Sequence, residues 1–561
     1  MKDVPPPASV TSRSRRTAAR NGLWVMIGLS VFVFLVLHTW NLSHRFLEFK
    51  WDGASLGNYS HQLWSIAHGA SPSEGAAGAA AWFQVPVILY LLAPLYRLWP
   101  SPLFLPIVQT AALAAAAVTI FFMGAQFLSK GRSLILALLF CFYPPIYAIC
   151  TASFHPSVLA LPFLAAAILC SLTSRFRAAG VFAVLILLCD LRAGLIAVPL
   201  CLWAARSSSK AWYVFAAAFA VAAFLGWRPA DAEEGLGPWI VLGALSAPYL
   251  ILALCVLERW ADRALSKRSL FLALISPIFF AGVVFASAMM TPAMIESHPG
   301  VSKMPVRQSA MRSLIDRIPA DARVLTTPVF LPRFSNREDV ALLGDAPVGD
   351  PSDKNRYALA DLGGAGANLD LAEESSAVLR ELLRKGWVPV ESLGGVVLFS
   401  EAPGAQAKEL YFADVDVRTD RPYLILGAEA MNAIELLGFT MNPDAEDPDL
   451  IRFSFYWRKL KSASGAAFAP QLSVVDTAGR SVYSVQRLLC YGLYPLADWK
   501  EGEVVKDEFL FVVPERLQGS SYEVRLGLLS RPDSRPVPMR SPVDGALDSE
   551  GRVRLIALDA I

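Results

Sequence analysis

The chain has 561 residues, 55% of them hydrophobic and 17% charged, with a formal net charge of +2. Such a composition excludes a protein soluble throughout, and the near-neutral balance, with no basic stripe interleaved with aromatics, gives no basis for a nucleic-acid partner. The apolar excess stops near Met290, so the chain divides into a membrane-embedded half and a polar half.

A basic tail, 1–21, carries Lys2, Arg13, Arg15, Arg16 and Arg20 ahead of the apolar run Leu23–Leu37. That run lacks a small-residue cleavage site before His38-Thr39-Trp40 and reads as an uncleaved signal anchor. A crossing helix needs about 20 apolar residues. The candidates are 22–40, 103–128, 133–150, 156–173, 211–227, 239–257 and 269–289. The run 179–205 is basic at both ends and holds Asp190 and Arg192 in its middle, which predicts a hairpin of two short helices with the charged pair at its outer apex. The run 82–99 contains Pro86 and Pro94 and ends in Tyr96, Arg97 and Trp99. It reads as an interfacial or re-entrant helix, since a crossing there would put the later basic connectors outside.

Those connectors are Lys130 with Arg132, Arg175 with Arg177, Arg206 with Lys210, and Arg259 through Arg268; the opposite connectors include Asp231, Glu233 and Glu234. Basic connectors stay in the cytoplasm. The expectation is therefore nine spans in a transmembrane domain, 22–290, with an outer loop at 41–102, a cytoplasmic N-terminus and an extracytoplasmic polar half. Six of the seven cysteines lie in apolar segments and only Cys490 in the polar half, so no disulfide forms within that half.

Within 291–402 a small α/β module is expected, with a helix around Met311–Ile318, strands at Ala322–Thr327, Tyr357–Ala360 and Val396–Phe399, and a helix Ser376–Arg384 stopped by Gly386. Residues 403–409 read as a linker. From 410 to 561 alternating strands such as Ile451–Trp457, Leu472–Asp476, Glu508–Val513 and Tyr522–Leu529 predict an antiparallel β-sandwich.

Several stretches carry a resemblance: Leu56-Gly57, Gln62-Leu63-Trp64 and His68-Gly69; Tyr143-Pro144-Pro145 and Phe154-His155-Pro156; and Ile318-Pro319-Ala320-Asp321-Ala322 with Arg337. Over residues 20–400 they resemble a bacterial family of multipass membrane proteins catalogued as a domain of unknown function. That family is grouped with the GT-C glycosyltransferases, which use lipid-linked sugars. The terminal region is similar to a sandwich module often fused behind such membrane halves, through Leu437-Gly438-Phe439, Phe455-Tyr456-Trp457-Arg458, Asp476 with Gly479-Arg480, Tyr494-Pro495, Trp499, Gly502-Glu503, Asp507, and Tyr522 with Gly527.

The resemblance implies an α-helical polytopic GT-C-like protein in the bacterial inner membrane, with a polyprenyl-phosphate sugar as donor substrate and membrane lipid and lipid-linked sugar as partners. No cofactor and no metal is expected. In such a transferase a carboxylate on the first outer loop takes the acceptor's proton and nearby cations stabilise the phosphate. The family has an Asp before the Leu-Gly pair, where this chain has Ser55, and a second acid where it has Ser60. Asp52 is the nearby carboxylate that can substitute, with Glu48 more remote.

The family's charged cluster at the apex of the fifth and sixth spans corresponds here to Cys189-Asp190-Leu191-Arg192. Ionisable groups at membrane depth are costly, and the pair is either a structural ion pair or part of a phosphate site. His155 and His68 have the same two readings: one in a cap or turn, the other beside the donor phosphate. The expected set is Asp52 as acid/base, with Arg192, His155 and His68 near the phosphate and Asp190 orienting Arg192. Arg45, Lys50 and Arg97 are expected at lipid head groups. Tyr456, Trp457, Tyr494 and Trp499 either stack a sugar or fill the sandwich core. The alternative is a non-catalytic GT-C relative that binds lipid-linked glycan or a partner enzyme. A transporter is disfavoured, because the charges cluster at outer span ends rather than at mid-membrane.

Overall fold

A computed structural model describes residues 10–49, 53–70, 85–141, 143, 145–146, 149, 154–191, 193–207, 211–225, 245–253, 255–256, 305–344, 355–364, 369–393, 395–401, 407, 409–416, 424–443, 450–460, 467–512 and 522–557. The expected span 269–289, most of the linker 403–409 and the acidic stretch Asp231–Glu234 lie outside these residues, as does part of the span 239–257. The chain forms two compact units. One lies within 1–47, 58–73 and 78–295, and the other is built from 48–57 and 296–561.

The first unit is helical. Its elements are α1 (Val10–Leu47), most of α2 (Gly53–His68), α3 (Ile88–Tyr96), α4 (Phe104–Gly124), α5 (Lys130–Cys141), a 3-10 turn at Pro156–Leu159, α6 (Ala160–Leu172), α7 (Phe176–Cys189), α8 (Gly194–Ser207) and α9 (Ala211–Leu225). Among the described residues two helices are long and apolar enough to cross a membrane, Val25–Leu47 and Phe104–Gly124. Pro156–Leu172, Phe176–Cys189 and Gly194–Ala205 are shorter apolar helices, so the described helices support a membrane protein without reaching the expected count of nine. α4 is the central element, packed on α1, α5 and α6. α1 instead exposes Val25, Leu29, Phe32, Val36 and Trp40 along its length, the distribution a lipid-facing helix needs.

The run 179–205 does break into two helices, with Asp190 as the extended residue that ends α7. α3 has only nine residues, well below the roughly 20 needed to cross. It buries Ile88, Leu89, Ala93 and Tyr96 and exposes Leu91 and Leu95.

The second unit is sheet-rich. A mixed sheet runs in the order β2-β1-β3-β6-β5, where β1 is Arg323–Thr326, β2 Val340–Leu342, β3 Arg356–Asp361, β5 Val388–Leu393 and β6 Val396–Ser400. β1 pairs in parallel with β2 and β3, whereas β6 pairs antiparallel with β3 and β5. Alternate strand residues point to opposite faces. Val324, Leu359, Val396 and Leu398 meet Met311 and Leu314 of α10 (Pro305–Asp316) and Phe330, Leu331 and Phe334 of the short turn that includes α11 (Leu331–Phe334). Ala358, Ala360, Val397 and Phe399 face Leu379 and Leu382 of α12 (Leu369–Arg384). Apolar residues every three or four positions make α12 amphipathic, and Gly386 ends it.

The β-rich end forms two antiparallel sheets. One is ordered β7-β13-β10-β9-β8 and the other β15-β14-β11-β12-β4, with β16 beside β14. Here β4 is Gly363–Gly364, β7 Tyr411–Phe412, β8 Leu424–Ala430, β9 Ile434–Pro443, β10 Leu450–Lys459, β11 Phe468–Val475, β12 Ser481–Arg487, β13 Val504–Val512, β14 Glu523–Ser530, β15 Pro536–Val537 and β16 Val553–Ala557. Strand β10 shows the cause: Ile451, Phe453, Phe455 and Trp457 enter the core, while Arg452 and Arg458 leave it for Glu508 and Glu435. Through β4, which pairs with Gln486 and Arg487, the α/β module contributes a strand to the sandwich. Arg531 at the end of β14 adds ion pairs to Asp370 and Glu373 of α12.

Two turns share the pattern Asp-x-x-Gly-Arg, Asp476-Thr477-Ala478-Gly479-Arg480 and Asp548-Ser549-Glu550-Gly551-Arg552. In each, one carboxylate oxygen accepts the backbone N–H groups two and four residues on, and the Arg Nε returns to the other oxygen, at 3.0 and 2.8 Å. The glycines have φ of 79° and 74°, a left-handed region costly for other residues. Burial works to raise the Asp548 pKa, but the Arg552 N–H, its guanidinium and Arg525 together hold it below the ordinary value. The unfolded chain therefore binds the proton more tightly. The resulting stability is full above the unfolded carboxylate pKa, about 4, and is lost as pH falls through the folded value. Asp548→Asn is thus expected to lower the unfolding temperature at pH 7 and to lower it less at pH 3. Equal losses at both pH values would refute this assignment.

Candidate functional site

The polar groups of the helical unit meet where its helices begin and end. α4 is apolar except for a few side chains, and one of these, Gln109, is buried. Its amide donates to the Ile149 carbonyl at 3.3 Å, and its oxygen accepts the His155 backbone N–H at 2.9 Å. One glutamine thus holds both ends of the connection between 149 and 155. His155 is extended (φ −127°, ψ 113°), and Pro156, with φ fixed by its ring, starts the 3-10 turn. On that turn Ser157 donates its hydroxyl to Asp190 Oδ2. Asp190 is half-buried, and its carbonyl accepts the Ala193 N–H, closing the break between α7 and α8. Beside this junction, Phe154 is buried edge-on against Tyr59 of α2, with ring centroids 5.5 Å apart.

His155 and Asp190 are therefore brought into one neighbourhood, joined through Ser157. His68 is not part of it by any described contact: it is exposed at the end of α2, its ring is stacked on Trp64 at 4.4 Å, and its Nδ1 lies 2.8 Å from the Trp64 carbonyl. Arg97 donates to the Ala67 carbonyl, so it caps the C-terminus of α2, where unpaired carbonyls and the helix dipole favour a cation. Asp52 and Arg192 lie outside the described residues. Ser55 is half-buried on α2. Ser60 shares a buried face with Leu56, Leu63 and Ala67, and its hydroxyl has no hydrogen-bond partner among the described residues. Gln109 and Ser157 were missed by motif reasoning, although a glutamine in the apolar helix Phe104–Gly124 is a readable signal.

The stretch Glu48–Gly57, on either side of Asp52, is built into the sheet-rich unit. Phe49 is 5% exposed within the core of the α/β module, 5.9 Å from the Phe330 ring, with the Arg333 guanidinium 4.9 Å from the centroid of its own ring. Four residues apart on one face of α2, Gly53 and Gly57 meet the Pro328 carbonyl and the Leu331 side chain so closely that a Cβ would stand 1.7 and 2.4 Å from them. In the sandwich, Tyr456, Trp457 and Trp499 are buried. Tyr494 is half-buried and stacked against both Tyr411 and Trp499, at 5.2 and 6.0 Å. Trp457 packs instead on Phe455, and Lys506 lies over the Tyr456 ring, so the four aromatics are spread over separate contacts. No group of three or more metal-ligating side chains occurs among the described residues.

A family model described as "Predicted membrane protein (DUF2079)" matches residues 50–230, which include α2, the Gln109–His155 connection and the Asp190 break. The match is narrower than the resemblance over 20–400, and its description names no activity. No curated protein and no solved structure matches the chain.

Proposed function

We propose that the chain is a GT-C-like membrane glycosyltransferase that moves a sugar from a polyprenyl-phosphate donor to an envelope or glycoconjugate acceptor on the outer side of the inner membrane. The observation that carries this reading is the junction of His155, Ser157 and Asp190, where an ionisable group sits at a break between apolar helices and is held there by a hydroxyl. In the proposed reaction the acceptor hydroxyl oxygen bonds to the anomeric carbon while the bond from that carbon to the phosphate oxygen breaks. The electron pair leaves on the polyprenyl phosphate, stabilised by Arg192 and His155, and Asp52 takes the hydroxyl proton. Asp190 orients Arg192.

Sidedness is supported by chain connectivity. Residues 48–57 and the chain from Pro305 onward build one unit, which supports an even number of crossings between Gly57 and Pro305. With α1 as one further crossing, that number supports a polar half opposite the basic tail, the side the basic-connector rule also favours.

One observation favours a second reading, a non-catalytic relative that binds lipid-linked glycan or a partner enzyme. Where the family's second carboxylate is expected, Ser60 is buried in an apolar face. Purified protein in nanodiscs, given polyprenyl-phosphate sugars, separates the two. Asp52→Asn is expected to lower turnover by about 10²-fold or more. Unchanged turnover would remove Asp52 from the mechanism, and binding without turnover in the wild type would establish the second reading.

A further inference from the structure

Three consecutive residues between β12 and β13 are left-handed: Cys490, Tyr491 and Gly492 have φ of 50°, 57° and 70°. They belong to the 3-10 turn Leu489–Gly492, in which the Tyr491 N–H donates to the Leu488 carbonyl at 3.1 Å and the Leu493 N–H to the Cys490 carbonyl at 3.0 Å. Left-handed backbone presses Cβ against the following carbonyl oxygen, so residues other than glycine adopt it singly and at a cost. Two such residues in a row persist only where their surroundings over-determine them.

The surroundings here come from two modules. Cys490 is buried in the sandwich core with Leu489, whereas Tyr491 and Leu493 pack with Leu379 and Leu382 of α12 in the α/β module. The Tyr491 ring carries the Arg487 guanidinium 4.3 Å from its centroid, and its hydroxyl donates to the Glu508 carbonyl at 3.4 Å. α12 holds the end of the turn. Arg380 donates to the Gly492 carbonyl, and a Cβ at Gly492 would stand 2.5 Å from the Ser376 hydroxyl oxygen. Ser376 and Arg380 are four residues apart and so lie on one face of the helix. The turn therefore has α12 on one flank and the buried Arg487–Asp507 pair on the other.

We infer that the turn Leu489–Gly492 is a strained latch, through which the docking of α12 controls the opening of the sandwich core around Arg487 and Asp507. With α12 seated, the turn is held left-handed and the ion pair is sealed. When α12 leaves, the turn loses the contacts that over-determine it, relaxes to ordinary backbone and draws Tyr491 off the Arg487 guanidinium. An element with two such arrangements is a physical route by which an event at the α/β module reaches the sandwich. The latch lies wholly within the sheet-rich unit and needs neither Asp52 nor the His155–Asp190 junction, so it goes beyond the transferase reading.

Cys490 reports on the latch directly, being the single cysteine beyond Cys255 and 0% exposed. Full-length protein in nanodiscs is treated with N-ethylmaleimide, and labelling of the peptide covering 488–500 is followed by mass spectrometry beside hydrogen exchange of α12. Arg380→Gln should speed Cys490 labelling about tenfold or more, the effect of losing a hydrogen bond from a charged donor, and should speed exchange of α12 in step. Arg452→Gln, which removes an ion pair on the outer face of the same sandwich, should change neither. Should Arg380→Gln misfold, the wild type in rising sub-denaturing urea reads the same link, since labelling of Cys490 and exchange of α12 should give one opening free energy. Labelling of Cys490 while α12 stays protected would overturn the latch, as would loosening of α12 with Cys490 still closed. An equal rise in labelling with Arg452→Gln would mark general loosening of the sandwich and overturn it too.

Discussion

Truncating Asp507 to alanine is expected to cost the sheet-rich unit roughly 3–5 kcal/mol, because it strands the Arg487 guanidinium in the core without its counter-charge. The two side chains are 0% and 2% exposed and meet at 2.8 Å. Alternation along β13 puts Val505, Asp507, Phe509 and Phe511 on the inward face, so the carboxylate enters an otherwise apolar row. Its partner comes from the opposite sheet, at the end of β12. Arg487 also donates to the Glu508 and Leu488 carbonyls, at 2.7 and 3.1 Å, and lies between the Tyr491 and Phe509 rings, 4.3 and 4.6 Å from their centroids. Burial opposes the guanidinium's charge most, but Asp507, Tyr491 and Cys490 together hold the Arg487 pKa above its ordinary value.

A buried pair of this kind does not necessarily add net stability, since a well-packed apolar replacement avoids both desolvation costs. The double change Arg487→Met/Asp507→Leu should therefore be far milder than Asp507→Ala alone. Hydrogen exchange of peptides covering 481–487 and 504–512, in the full-length protein, reads both effects as local opening. A double variant as damaged as the single would show that the ion pair itself, and not the stranded charge, carries the energy.

Elements whose period is written in contiguous residues were legible. The alternation Ile451-Arg452-Phe453-Ser454-Phe455 predicts β10, which the structure extends to Leu450–Lys459. Basic flanks and a central Asp190 predict two helices in 179–205, and these are α7 and α8. The expected helix at Ser376–Arg384 begins earlier, at Leu369, because Glu373, Glu374 and Ser375 hide an apolar stripe that continues through Ala372. Less legible were contacts between segments distant in sequence. β4 is two glycines with no strand propensity, and its pairing with β12 is a tertiary event. Residues 133–150 read as one span because the apolar count ignores Pro144 and Pro145, and α5 stops at Cys141. In the candidate site, His155 and Asp190 were readable as isolated polar residues in apolar runs. The Ser157 hydroxyl that joins them was not, because a serine there looks like any helix-start residue. The packing of Phe49 among Phe330 and Phe334 joins segments some 280 positions apart and has no local signature.

That same packing makes Gly53 a sensitive position of the first loop. Gly53-Ala54-Ser55-Leu56-Gly57 sets two glycines on one face of α2, a spacing that lets a helix approach another backbone closely. At Gly53 the obstacle is the Pro328 carbonyl, 1.7 Å from where a Cβ would stand, with the Val329 Cα at 3.0 Å. Backbone cannot rotate aside as a side chain does, so Gly53→Val must displace α2 from the 328–334 turn. Overpacking of this kind costs about 1–3 kcal/mol and often more against backbone, and Phe49→Ala, which empties a ring-sized volume in the same core, roughly 3–5 kcal/mol. Both changes should raise hydrogen exchange in peptides covering 53–57 and 328–334 and leave the β10 and β13 peptides as they were, since the sandwich core is a separate cluster. At Gly57 the obstacle is only the Leu331 side chain, so Gly57→Ala should be milder than Gly53→Ala. If Gly53→Val left exchange at 328–334 unchanged, the first loop would not be part of the polar unit, and the even-crossing argument for its sidedness would go with it.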